Sequence, residues 1–155
     1  MTGWQAPPAD VASVAEWLDA WGQQVASVDF ESARGLFRNE VIGFGTWMDL
    51  VEGLDELECR QWRSIWPAIR HFHHDTKNSL RVTVSPDRLM AVGLVIWTST
   101  GFDEDGRQYD RPGRTTVLLT RDSLGSPWRA LHTHVSLFRG VPQRSHGAPG
   151  TAEES

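Results

Sequence analysis

Near the end of the chain two imidazoles and a hydroxyl recur at every second position: His132, His134 and Ser136, within Pro127 to Phe138. Strand side chains alternate, so this spacing puts the three on one side of a β-strand with Trp128, Ala130 and Phe138. Leu131, Thr133, Val135 and Leu137 take the other side. Imidazole titrates at about pH 6.5 and works in both directions, so His134 is the first candidate for a general acid or base. Ser136 would orient a substrate or the ring. The plainer alternative is that these groups satisfy one another or the backbone. A face mixing two imidazoles with aromatics is expected to line a cavity, with His132 and Ser136 in its wall.

Asp49 is the second candidate base. It follows a short apolar stretch, with Trp47 and Met48 beside it, and burial in such company raises a carboxyl's pKa. The alternative is a loop or capping carboxylate. His71 and His73 form a second alternating pair, followed by His74 and Asp75. Four nitrogens would reach one metal only if two distant segments met, and no carboxylate is fixed beside them, so neither a metal site nor a cofactor is expected. Arg114 offers a two-pronged contact to an anion, or a surface charge at a strand start. Cys59 is the single cysteine, with no base fixed beside it, and reads as structural.

These residues must be carried by regular elements. Val11, Val14, Ala15, Leu18, Trp21 and Val25 recur at three and four, which is an amphipathic helix of about four turns, with Asp10 as its cap. Asp29 starts a shorter helix through Phe37. Residues 41–47 read as a strand. A third helix runs from Gly53 to Pro67. The period then changes to two. Strands are expected over 69–74, 80–85, 89–100, from about 107 to 120 with a break at Pro112-Gly113, and 127–138. Short turns between them mean antiparallel neighbours. Three helices followed by a meander is α+β.

With 155 residues and 39% hydrophobic content, one domain with a substantial core is expected, spanning residues 10–138. Residues 1–9 and 139–155 lack an apolar period, and the first are expected as a flexible tail and the second as a disordered one. A net charge of -5 argues against a nucleic-acid partner. No apolar run is long enough to span a membrane, and one cysteine fits a reducing cytoplasm. Eight tryptophans suit either a packed core or an aromatic-lined pocket.

Four stretches then carry a resemblance: Val41-Ile42-Gly43-Phe44-Gly45-Thr46, Gly53-Leu54-Asp55, Pro112-Gly113-Arg114-Thr115-Thr116-Val117, and the closing 128–136. In this order they resemble the nuclear transport factor 2-like superfamily, and within it the SnoaL-like proteins and the association domain of calcium/calmodulin-dependent kinase. The resemblance implies a strongly curved antiparallel sheet around three helices, a cone-shaped, cystatin-like roll. It implies a cone that binds a small, largely apolar molecule, with Trp47, Trp97, Arg114, Thr116, His132 and Ser136 in its wall. The superfamily's isomerases, cyclases and dehydratases imply an alternative, a cofactor-independent acid–base enzyme using Asp49 or His134. A further alternative is a dimeric assembly module. The kinase domain's pocket arginine falls near Thr116, and the epoxide-hydrolase pattern would need a second inward aspartate beside Asp49 and Arg114. Most relatives dimerise through the outer sheet face, and the Leu131, Val135 and Leu137 stripe is assigned to that interface.

Overall fold

A computed structural model describes residues 3–149. Helix α1 spans Pro8–Ser27, with proline in its first turn, where no backbone N–H is needed. Val14, Leu18, Trp21 and Val25 bury its inner face. Val28, in the left-handed region, ends it by donating to the carbonyls of Gln24 and Val25. Asp10 makes no capping bond. Its carboxylate is buried and accepts from Arg88 at 2.7 and 3.0 Å and from Arg121 at 3.0 Å.

Asp29 caps α2 (Phe30–Arg34) by accepting the Ser32 N–H at 3.1 Å. Phe37, expected at the end of this helix, opens strand β1 (Phe37–Phe44). A two-residue strand β2 (Val51–Glu52) pairs with it. Residues 54–68 form α3, a continuous helical segment whose middle turn, Leu57–Trp62, is π-helical and whose last turn, Trp66–Ala68, is 3₁₀. A π-turn inserts one residue, which here brings Leu57, Gln61 and Trp62 together on the inner side.

The remaining strands are β3 (Arg70–His74), β4 (Arg81–Val84), β5 (Met90–Phe102), β6 (Gln108–Asp110), β7 (Gly113–Thr120) and β8 (Arg129–Leu137). They form one curved, open sheet in the order β2-β1-β8-β7-β5-β3, with β4 and β6 also paired to β5. Every pairing is antiparallel except β1 with β8, which run parallel. Those two lie at opposite ends of the chain, so no hairpin dictates their direction. The helices cover the inner face. Trp17, Trp21, Phe37 and Trp62 meet there through tilted and edge-on ring contacts at 4.9–5.5 Å.

One irregularity decides which way β8 faces. Leu118 of β7 pairs with His132, but Leu119 pairs with Ala130, which leaves Leu131 as an extra residue. This β-bulge exchanges the two faces of the strand. Before it Trp128 and Ala130 are buried, and after it Thr133 points inward.

The segment expected as a loose tail from Arg139 is held to the domain at several points. Val141 donates to the carbonyl of Phe138, Tyr109 donates to that of Arg144, and His146 donates to that of Phe102. Ser145 is buried, donating to the Ala68 carbonyl and accepting from Phe102 N–H. At the other end Gln5 bridges to Val82 in parallel. The outermost parts of both expected tails, residues 1–2 and 150–155, lie outside the described residues.

Candidate functional site

The cone between helices and sheet contains a recess. Trp21 and Val25 of α1, Leu57, Gln61, Trp62, Ile65 and Trp66 of α3, Phe72, Trp97, Arg111, Thr133 and Val135 line it, with Phe44, Gly45 and Thr46 at the rim. The recess with its mouth offers ≈ 500 Å³, and its inner cavity is ≈ 40 Å³. That inner space has room for about three waters, so the tryptophans narrow the cone without filling it. Trp62 and Trp66 stack with centroids 4.7 Å apart, making one wall flat.

Two glycines permit this shape. A Cβ on Gly113 would collide with the Trp97 ring and the Ser136 carbonyl, so glycine lets the indole lie on the β7 backbone. A Cβ on Gly45 would collide with the Gln61 amide. Gln61 Oε1 instead accepts the N–H groups of Trp47 and Met48 at 3.1 and 2.7 Å, and its amide donates to Thr46 Oγ1 at 3.3 Å. This holds the rim in place.

Arg111 is the only charged residue among the described ones that line the recess. It precedes β7, where Thr115, Val117 and Leu119 point inward, and the same alternation continues through Gly113 to Arg111. Its backbone is fixed at both groups: its N–H donates to the Ser99 carbonyl at 2.9 Å, and its own carbonyl accepts from Ser99 Oγ at 2.8 Å. Arg111 is 1% exposed, and its guanidinium packs 5.5 Å from the Trp97 ring centroid and reaches Thr46 Oγ1 at 3.4 Å. Burial draws its pKa below the ordinary arginine range, with Tyr109 acting in the opposite direction. Its Nε has no hydrogen-bond partner, nor do the indole N–H groups of Trp21 and Trp97.

The residues expected from sequence fall elsewhere, apart from Trp97. His132 and His134 lie on the outer face, edge-on to Phe44 at 4.9 and 5.2 Å, and the Ile42 carbonyl sits 2.7 Å from His132 Nδ1. Ser136 is on the same side, paired with Arg114, and Thr116 is paired with His134. Arg114 is exposed and donates to the Leu137 carbonyl at 3.2 Å. For His132, His134 and Ser136 the physical reason is the Leu131 bulge, since an alternation carried through it inverts the strand, whereas Arg114 and Thr116 alternate with the inward Thr115 and Val117 of β7. Through the same bulge Val135, expected in an outer stripe, lines the recess. Asp49 is exposed in the loop after β1, and Trp47 is 47% exposed beside it. Among the described residues no group of three His, Cys, Asp or Glu side chains is placed to hold a metal. Arg111 escaped the sequence reading because Arg111-Pro112-Gly113 reads as a turn, although its odd-numbered parity with Val117 was a usable signal.

Solved structures share this architecture. One is a nuclear transport factor 2-like superfamily protein from Salmonella enterica, 16% identical, with a TM-score of 0.70 over 90% of this chain and 99% of that one. Another is a putative calcium/calmodulin-dependent protein kinase II association domain from Xanthomonas campestris, 22% identical, TM-score 0.68, covering 90% and 97%. A third is a ketosteroid isomerase-like protein from Erwinia carotovora, 13% identical, TM-score 0.67, covering 85% and 98%. The chain has the nuclear transport factor 2-like, cystatin-like fold. No family model matches the sequence, and no curated protein does. In this fold the recess is the interior of the cone, and Arg111 and Trp97 sit in its wall. No helix among the described residues is long and apolar enough to cross a membrane.

Proposed function

We propose that this protein binds a small, largely apolar molecule inside the cone. The observation that carries this reading is a recess walled by four buried indoles and several aliphatic side chains, with one charged group at a fixed place. An acid–base enzyme would need two titratable groups facing one point. Among the described lining residues Arg111 is the sole such group, and Asp49 and His134 lie outside the wall. A pure assembly module would leave the cone filled, whereas a cavity of ≈ 40 Å³ stays open.

Melting temperature against a panel of small apolar compounds tests the proposal. At least one compound should raise the melting point of the wild type, since ligands that bind only the native state stabilise it. Val135→Phe, which fills the recess from the sheet side, should abolish that rise while keeping the fold. A rise that persists unchanged in Val135→Phe would place binding outside the cone.

The protein is further read as a homodimer through the outer sheet face. Ile42, Phe44 and Ile96 are 39%, 39% and 41% exposed there. With Val92, Leu94 and Leu118, and with His132, His134, Thr116 and Arg114 set among them, they make a mixed surface rich in apolar side chains, of the kind subunits cover.

A further inference from the structure

We propose that the molecule held in the cone is an anion, a small organic carboxylate whose apolar body lies against the indoles and whose carboxylate faces Arg111. This inference rests on the cone being a binding site. It starts from an imbalance of hydrogen-bonding groups in the wall. Three buried donors have no acceptor: Arg111 Nε, Trp97 Nε1 and Trp21 Nε1. The rim acceptors, on Gln61 and Thr46, are already engaged, and of the other buried polar atoms without a partner, Gln24 Oε1, His74 Nε2 and Thr115 Oγ1, none belongs to a residue that lines the recess. Gln61 Oε1 takes two backbone N–H groups, and Thr46 Oγ1 takes the Gln61 amide and, at long range, Arg111. A buried donor left unmade is costly, so the site lacks a component that brings acceptors.

The charge points the same way. The fold contains a second buried arginine, Arg121, and completes it. Arg121 donates to Asp10 at 3.0 Å and to the Arg88 carbonyl at 2.9 Å, and lies 4.0 Å from the Trp128 ring centroid. Arg111 is buried more deeply and forms no ion pair among the described residues. A guanidinium stays protonated when buried, so it calls for a countercharge from outside the chain. A neutral carbonyl compound would supply an acceptor but no charge. An inorganic anion would supply charge but would be stripped of water against an apolar wall. A carboxylate on an apolar body satisfies both requirements, and its two oxygens match the fork of the guanidinium.

Three ligands of one shape separate the claims: benzoate, benzamide and benzyl alcohol, titrated calorimetrically at fixed ionic strength into wild type, Arg111→Met and Arg111→Lys. Benzoate should bind wild type at least tenfold more tightly than benzamide, the factor expected for a charge-assisted over a neutral hydrogen bond. Arg111→Met should erase that preference, leave benzyl alcohol within about threefold, and melt no lower than wild type in the absence of ligand, because an uncompensated buried charge is removed. Arg111→Lys should keep part of the preference. Equal binding of benzoate and benzamide to wild type would overturn the anion while leaving the cone a binding site. So would benzoate affinity unchanged in Arg111→Met. Should Arg111→Met not fold, the acid-to-amide ratio on wild type decides alone. Failure of all three compounds to bind wild type would count against the binding reading itself.

Discussion

Arg111 and Trp97 depend on what the neighbouring residues lack. Gly113 has no side chain, so the Trp97 ring occupies the space its Cβ would take. Gly113→Ala should push the indole into the recess and cost about 1–3 kcal/mol, the usual range for overpacking, read as a lower urea midpoint. An alanine variant as stable as wild type would mean the ring is not held against that backbone. His74 is the other buried polar residue with a measurable consequence. Its Nδ1–H donates to the Leu18 carbonyl at 2.9 Å, Trp21 and Phe72 pack on the ring, and burial pushes its pKa down from 6.5 to about 4. Between these values the unfolded chain takes up a proton that the folded one refuses. Stability should therefore be full above about pH 6.5, fall as the pH drops toward about 4, and level off below, a loss of about 3 kcal/mol from this residue. Urea midpoints across that window should show the slope, and His74→Gln should flatten it. An unaltered slope in the variant would remove His74 as the cause.

At the scale of elements, the start of α1 is tied to the sheet through Asp10. Its two arginine partners hold its carboxyl below the usual aspartate range, Arg88 foremost. That contribution to stability is present above pH 3.8 and is lost as the pH falls through the lowered native value, a window below that of His74. Asp10→Ala should cost about 3–5 kcal/mol by leaving Arg121 buried and unpaired, whereas Arg88→Ala should cost much less, since Arg88 is half-exposed and Arg121 would remain with Asp10. Equal losses from the two would contradict this ranking. The elements also show what the sequence made legible. Change of period marked the helices and strands, and Asp29 announced α2 by its type and position. The orientation of β8 did not follow, because a bulge leaves the run of residue types intact and shows only in the pairing of Leu118 and Leu119. Asp10 looked like a helix cap because its ion partners lie 78 and 111 residues away. Trp97 is expected in the wall only through the family resemblance, while Trp21, Trp62 and Trp66 read as helix core and are both core and wall.

At the scale of the whole molecule, the inner and outer sheet faces carry different claims. The outer one should close a homodimer. Ile96→Glu, which adds a charge to that face, should convert it to monomer in sedimentation equilibrium without lowering ligand affinity in the cone; a wild type that is monomeric at micromolar concentration would contradict the interface. The inner face carries the central claim, and the eight tryptophans make it directly observable. Each indole N–H gives one nitrogen–proton NMR signal, assignable by single Trp→Phe replacements. Trp17 and Trp128 already donate, to the Leu36 carbonyl and to Ser13 Oγ, while Trp21 and Trp97 have no partner. On titration with benzoate the Trp97 and Trp21 signals should move together and saturate, with those of Trp17 and Trp128 nearly still. Shifts confined to the exposed Trp4 and Trp47, or no indole shift at millimolar benzoate, would contradict a ligand seated in the cone.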